Sequence, residues 1–587
     1  MGTKIVDLRR AVGSGAGGGG AYGAEAFVTE WTVGAGDTIK LWSYDSVAPI
    51  GNKPDYDVAW GDGNSESNVI VNDKTHTYAE AGTYQVVITG QFNALNMNRA
   101  SATERAYFTK MVQWGTDNVW SSLFRMFYAC QDVVYEAEDY PNLTNLVEST
   151  QIREMFYDAE SVVNLDLSNW TNTGNITYAY QAFAFMSGLK TLNLTGWDTS
   201  NITYIYNFAY STGDAVDGCN FTMPNLDLTS ATNLDQLFYQ TKIASVDISG
   251  WKFGAATTIA KMFRNSQRGS AGAAFTINAS GWLQSSNITS FNQLFYSCQA
   301  NSIDMSGVDT SNVTNMNRFL YFAEYLTGLI GLDVFDASSL TASDASMFQY
   351  TRRYNWGQAN CNFGSNWGPN LGNMTTMQTW FNISGNVTPG SAPPNVADWD
   401  TSGVTNMQDM FRQAKWSGGS IDVSSWDVSS VTGNGMAHMF RETVGLSAGI
   451  DTSGWQISNS VTNMSFWAYY SDLGGDIDFS DASCDLSAVT TWSAAFQGTG
   501  LTGFKLHGSS SFAAVTTMTN MFYVGTVLIP TADYDALLLR LAATATNTGV
   551  TLGANASTYT LGGAVETARD TTLIAGRTWT INDAGGV

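Results

Sequence analysis

The sequence predicts a repeat solenoid of short parallel strands, preceded by a small all-β domain. Three observations predict it. A phrase ending in Met-Phe or a near equivalent returns about fifteen times, at Phe127, Phe156, Phe183, Phe208, Phe238, Phe263, Phe295, Leu320, Phe348, Phe381, Phe411, Phe440, Ala468, Phe496 and Phe522. The mean spacing is roughly 28 residues, within the range of stacked repeats. Each copy changes its apolar period halfway, from two to three or four. Ahead of the copies, alternating runs are separated by glycine-containing turns, the pattern of paired strands. A unit this short cannot bury its own apolar face, so the copies must stack and share one core.

Residues 1–24 carry Gly13-Ser-Gly-Ala-Gly-Gly-Gly-Gly20 and read as a flexible attachment arm. The arm has charges at Lys4, Asp7, Arg9 and Arg10 and no apolar core, so it does not read as a secretory signal. That points either to a mature chain or to another route outward, such as a virus particle released by lysis. Residues 25–92 hold the alternating runs Thr38-Ile-Lys-Leu-Trp42, Tyr56-Asp-Val-Ala-Trp60 and Thr83-Tyr-Gln-Val-Val-Ile-Thr89. Gly61-Asp-Gly-Asn64 and Ala79-Glu-Ala-Gly82 punctuate them. Residues 93–114 read as a connector.

The copies occupy 115–525. Leu165-Asp-Leu-Ser-Asn-Trp170, Val246-Asp-Ile-Ser-Gly-Trp251 and Ile421-Asp-Val-Ser-Ser-Trp426 alternate with period two and predict short half-buried strands. Asn-Val-Thr-Asn-Met-x-x-Met-Phe follows with a spacing of three to four, which predicts a short helical arc capped by its Thr or Asn. One strand and one arc per coil is a solenoid of leucine-rich-repeat type. With strands about 4.8 Å apart, fifteen such coils would measure roughly 70 Å. The anchors Phe127, Phe156, Phe263, Phe295, Phe411, Phe440 and Phe522 are the predicted core. Residues 526–587 read as a terminal cap, with an amphipathic helix at 531–543 and a last strand near Thr578-Trp-Thr-Ile581; an open solenoid end needs such a cover.

Only 13% of residues are charged, against about 25% in typical domains. The net charge of −24 argues against nucleic acid as a partner and against docking on anionic membranes. No run is long and apolar enough for membrane insertion. The three histidines, His76, His438 and His507, lie in separate places and offer no base for a nucleophile. Cys130 and Cys298 fall three residues past an anchor, where other copies have Ala159 and Ala414, and read as small core residues; the odd count of five and the wide spacing fit disulfides poorly. No catalytic, cofactor or zinc site is expected.

The acids Asp166, Asp227, Asp247, Asp304, Asp333, Asp422, Asp451 and Asp478 recur at strand centres. They read as solvent-facing and bonded to nearby hydroxyls and N–H groups. Stacked like charges repel, so Asp166, Asp247, Asp304 and Asp422 are candidate calcium ligands. A glycosidase pair would be one special place, whereas this acid repeats. Trp170, Trp197, Trp251, Trp282, Trp426 and Trp455 read as corner packing, with each indole N–H bonded to a neighbouring coil. Tyr178, Tyr180, Tyr204, Tyr206, Trp467, Tyr469 and Tyr470 break the repeat and are the candidate ligand contacts.

Trp60-Gly-Asp-Gly63 with His76-Thr-Tyr-Ala-Glu-Ala-Gly-Thr-Tyr84 resembles the signature of PKD-type domains, although the Asp-Phe-Gly-Asp-Gly form is shortened. The resemblance implies an immunoglobulin-like sandwich of the kind that serves as a spacer in surface and viral proteins. Asp309-Thr-Ser-Asn-Val-Thr-Asn-Met-Asn-Arg-Phe-Leu320 and Asp400-Thr-Ser-Gly-Val-Thr-Asn-Met-Gln-Asp-Met-Phe411 resemble the repeat of BspA-like leucine-rich-repeat surface proteins, over 115–525. That family implies adhesion and display without catalytic residues, on bacterial surfaces and in phage.

The expectation is a non-enzymatic phage virion surface protein, a head or tail fibre or appendage. Its N-terminal arm and PKD-like domain would meet other virion proteins, and its coils a host glycan or protein. A homo-oligomer is compatible with this. The alternative is an exported bacterial cell-surface adhesin, and a remote one is a polysaccharide-degrading solenoid.

Overall fold

The computed structural model describes residues 22–43, 54–146, 151–269, 274–341, 346–356, 361–365, 367, 371–385, 392–417, 420–523 and 529–587. Most of the predicted arm, 1–21, lies outside them. The chain divides into two compact units, 1–287 and 288–587.

The first unit opens with β1 (Phe27–Val33), β2 (Thr38–Leu41), β3 (Asp55–Ala59), β4 (Ser65–Val69), β5 (Lys74–Thr77) and β6 (Gly82–Gln91). β1, β3 and β4 join β6 in one antiparallel sheet, and β2 pairs with β5. The stretch expected to be a connector is structured. Its helix Ala102–Tyr107 begins with a capping box of Ser101 and Glu104, which satisfies two amide groups left open at the helix start. The next strand, β7 (Phe108–Gln113), lies antiparallel to β1 and parallel to β8 (Val134–Tyr135) of the first coil. Phe108 stacks on Trp31 at 4.9 Å and on Phe127 at 5.8 Å. The N-terminal sheet is therefore joined to the first coil by strand pairing and ring contacts.

Beyond it the first unit is a parallel β-solenoid with little helix. Strands Asn164–Asp166, Thr191–Asn193, Cys219–Thr222, Lys242–Asp247 and Thr276–Asn278 stack in register, so that Leu165, Leu192, Phe221, Val246 and Ile277 form one inward rung. All five are buried. Period-two alternation puts every second side chain inside, which is why the strand prediction from Leu-Asp-Leu holds. Corner tryptophans follow: Trp197, Trp251 and Trp282 donate their indole N–H to Leu167, Met223 and Ile248 carbonyls one coil back, at 2.6–2.9 Å.

The predicted helical arc is replaced by a ladder of overlapping turns. In the first copy, Leu123, Arg125, Phe127 and Ala129 donate their N–H groups to Gln151, Arg153, Met155 and Tyr157 of the next coil at 2.7–3.1 Å. Met126, Tyr128 and Cys130 instead donate three residues back, to Leu123, Arg125 and Phe127. The geometry requires positive φ two residues before and two after each anchor, as at Arg125 and Ala129, Glu154 and Asp158, Gln181 and Phe185. Leu123, Met126, Phe127 and Cys130 are buried. That i, i+3, i+4, i+7 spacing reads as one face of a helix, and here overlapping turns reproduce it.

The phrase repeated within the copies thus divides its tasks. Thr199 of Asp-Thr-Ser is buried and donates to the Asp227 carbonyl at 2.8 Å. Thr203 and Thr232 each donate to a threonine carbonyl one coil back, at 3.1 and 3.3 Å. Asn233 caps the first turn by accepting from the Asp235 N–H at 2.8 Å. The anchors Phe127, Phe156, Phe183, Phe238 and Phe263 are at most 1% exposed, and Phe127 stacks on Phe156 at 4.7 Å. One anchor is offset: Asn207 and Ser211 carry the positive φ, so Ala209 rather than Phe208 fills the slot.

The second unit repeats the scheme. Ser302–Asp304 pairs with Gly328–Ile330, and Gly474–Phe479 with Gly500–Leu506, all parallel. Met407, Asp409, Phe411 and Gln413 donate to Gly435, Ala437, Met439 and Arg441. Phe295, Leu320, Phe348, Phe381, Phe411, Phe440, Phe496 and Phe522 are buried. The unit closes with helix Thr531–Thr544, whose Tyr534, Leu537, Leu538 and Leu541 face inward, and with strands Thr551–Ala554 and Thr580–Asp583 in parallel. All five cysteines are buried and free.

The turn ladder makes a stability prediction. Ile383 is β-branched and sits at φ 56°, where an L-residue loses roughly 1–2 kcal/mol. Ile383→Gly relieves that strain but loses the half-buried side chain and adds the chain-entropy cost of glycine, so the terms offset and stability should change by less than about 1 kcal/mol. A denaturant midpoint that moves little in either direction, with an unchanged slope, checks it.

Candidate functional site

The predicted contact residues separate into two clusters on the turn faces, one in each unit. In the first unit the turn ladder places Tyr178 over Tyr204 at 4.9 Å and 16°, and Tyr180 over Tyr206 at 6.2 Å and 4°. One face of each ring is turned towards its neighbour, and the edges and hydroxyls add to what the pairs present. Burial raises the phenol pKa of Tyr178, Tyr180 and Tyr206, which keeps them neutral.

Beside these tyrosines lies Glu154, whose side chain is 6% exposed. Its two oxygens accept separately from Arg125 Nε at 2.6 Å and Arg153 Nε at 2.8 Å. Both guanidinium groups lie over the Phe124 ring, at 4.7 and 5.5 Å. Arg125 also covers Tyr128 at 5.2 Å, and Arg153 covers Tyr180 at 5.5 Å. None of these arginines or the glutamate stood among the sequence candidates. Nothing local signals them, because Arg125 and Glu154 are 29 residues apart in sequence and meet only through stacking.

In the second unit Tyr469 packs edge-on against Tyr470 at 4.6 Å and against Phe466 at 5.2 Å. Arg441 lies over Phe466 and Tyr469, at 5.4 and 5.2 Å. Its Nε donates to Glu442 at 3.0 Å, and Gln413 donates to the same carboxylate at 2.6 Å. His438 Nδ1 lies 3.3 Å from Asp409 Oδ1. Tyr470 is 49% exposed. Trp467 does not belong to this surface. It is fully buried, because it takes the inward slot just before the anchor that Met410 and Met439 hold in neighbouring coils, and it meets Phe440 edge-on at 5.0 Å.

The acids expected to hold calcium are occupied by their own chain. Asp166, Asp247, Asp304 and Asp422 each accept the N–H of the serine two residues on, at 2.9–3.1 Å. Asp166 and Asp247 further accept from Asn193 and Asn278, at 3.0 and 3.1 Å. The rung from Asp166 runs through Asn193 and Thr222 before reaching Asp247, so in that rung neutral residues dilute the expected repulsion. Among the described residues, no group of three or more His, Cys, Asp or Glu side chains is placed to hold a metal ion. No helix among them is long and apolar enough to cross a membrane.

These hydrogen bonds set an acid limit. Bonds from Ser168 lower the Asp166 pKa, bonds from Ser453 lower that of Asp451, the Lys505 ammonium lowers that of Asp476, and Gln413 lowers that of Glu442. Burial raises Asp158 and Asp235, a smaller opposing set. A depressed folded pKa contributes stability that is present above the unfolded value, 3.8 for Asp, and lost as pH falls towards the folded one. Relief of the −24 net charge works the other way but is screened beyond about 10 Å at 0.1 M salt. At that salt the melting temperature should therefore fall between about pH 5 and pH 2, as thermal melts across that range would show.

A family model described as "Mycoplasma protein of unknown function, DUF285" matches four overlapping stretches, 91–191, 177–282, 266–389 and 375–509. The chain belongs to this family. Both clusters lie within its tandem copies, whereas most of the N-terminal sheet and the terminal cap lie outside. No curated protein and no solved structure matches the chain.

Proposed function

We propose that this family member is a non-enzymatic recognition protein that displays its turn faces to a ligand on a host surface. The observation that carries this is the pair of aromatic and cationic clusters. Regular packing does not require Tyr178, Tyr204, Arg153, Tyr469 or Arg441, yet each keeps part of its side chain at the surface. The carboxylates that a polysaccharide-degrading enzyme would use are bound up in turns.

Two placements follow. The first is the virion surface, as a head or tail fibre or appendage attached through its N-terminal part. The second is the outer face of a bacterial cell, favoured by a family description that names a bacterial genus. A PKD-like spacer role for the first six strands is supported by the Trp60-Gly-Asp-Gly63 turn. There His76 bonds Asp62 at 2.8 Å and stacks on Trp60 at 4.7 Å. The BspA-like reading is carried by the repeat phrase, since its arc consists of turns.

The test is adhesion of the purified chain to host cells, with Tyr204→Ala and Tyr469→Ala as variants. The expected result is saturable binding, weakened in at least one variant with unchanged melting. No saturable binding, or binding indifferent to both substitutions, would remove the reading. Immunogold labelling decides the placement: label on particles supports the first, and label on the cell envelope the second.

A further inference from the structure

The arginine pair of the first unit carries a ligand assignment, which rests on the recognition reading above. Glu154 uses one carboxylate to hold two guanidinium groups side by side, each through Nε alone. The pair keeps a net positive charge in a chain of net charge −24. The Nη1 and Nη2 atoms of both arginines make no bond to the described residues. Four donor nitrogens are thus presented by two guanidinium groups that rest on the rings of Phe124, Tyr128 and Tyr180. A planar fork held this way matches a carboxylate with little ordering left to do.

The neighbouring tyrosines narrow the choice. One face of each ring is taken by its partner, and the phenols add hydroxyls, which both donate and accept. Such groups suit a polyol, whose hydroxyls match them, whereas an acidic peptide would engage the arginine pair and leave the phenols unmatched. We infer that the face formed by Arg125, Arg153, Tyr178, Tyr180 and Tyr204 binds a carboxylate-bearing sugar. The carboxylate takes the guanidinium pair and the ring hydroxyls take the phenols.

The experiment uses the full chain on an array that pairs oligogalacturonate with neutral oligogalactose and sialyllactose with lactose, with polyglutamate as an acidic peptide. The expected result is retention of at least one acidic sugar tenfold or more above its neutral counterpart, decreasing as salt rises. Arg153→Gln should abolish that preference, and Arg153→Lys should fail to restore it because the fork is lost; Arg125 still pairs with Glu154, and retention of each variant is read below the onset of its own melt, where it is folded. Equal retention of acidic and neutral sugars, a preference that survives Arg153→Gln, or capture of polyglutamate in place of the sugars would each overturn the assignment. Host-cell adhesion that depends on Tyr204 but not on Arg153 would leave the recognition role standing while removing this ligand.

Discussion

Phe411→Ala is expected to lower stability by about 3–5 kcal/mol. The ring is fully buried. It lies between Phe381 at 5.2 Å and Phe440 at 5.3 Å, nearly parallel to both, with Trp416 and Trp426 beyond its edges at 6.3 and 6.2 Å. Its removal loses the transfer energy of the ring and two stacking contacts, each worth about 0.5–1.5 kcal/mol. The cavity cannot close easily, because the backbone on both sides is bonded to the next coil. In a stacked array stability is a sum of units and their interfaces, so the loss should appear as an earlier and broader transition. Tyr470→Ala, at a residue 49% exposed, is the control and should change stability by less than about 0.5 kcal/mol. Coincident melts for the wild type and Phe411→Ala would place the ring outside the core.

Arg569→Met is expected to be comparably damaging, by about 3–5 kcal/mol, through a different cause. The Asp583 carboxylate is 2% exposed, and Arg569 binds both of its oxygens, through Nε at 2.8 Å and Nη2 at 2.9 Å. Tyr534 donates its hydroxyl to the same carboxylate at 3.0 Å. This bidentate pair fastens the last strand, Thr580–Asp583, to the helical segment Thr567–Ala575, and the Tyr534 bond ties the same carboxylate to helix Thr531–Thr544. Methionine keeps the volume of the stem but leaves a buried carboxylate without a counter-charge. The double variant Arg569→Met with Asp583→Leu should recover much of the loss, because replacing both partners removes the unpaired charge. Urea melts of the single and double variants measure this. A double variant no better than the single one would show that packing, not charge, accounts for the effect.

The sequence by itself determined the repeat period, the inward aromatic anchors, the alternating strands and the closing helix. Each of these follows from spacing along a single copy: Leu165-Asp-Leu167 can bury only its outer two residues in a strand, and Pro530 with Asp533 begins a helix whose apolar residues share one face. Only the tertiary structure decided what joins one strand to the next. Leu123, Met126, Phe127 and Cys130 have the same spacing in a helix as in a chain of turns. The choice depends on whether an amide finds its acceptor four residues back or one coil away, and Phe127 bonds Met155. Stacking also decided the finer register, which moved the anchor from Phe208 to Ala209 and drew Trp467 inside. The Arg125–Glu154–Arg153 group was illegible for the same reason: its members come together only once one coil lies on the next, and no local pattern encodes a contact between copies.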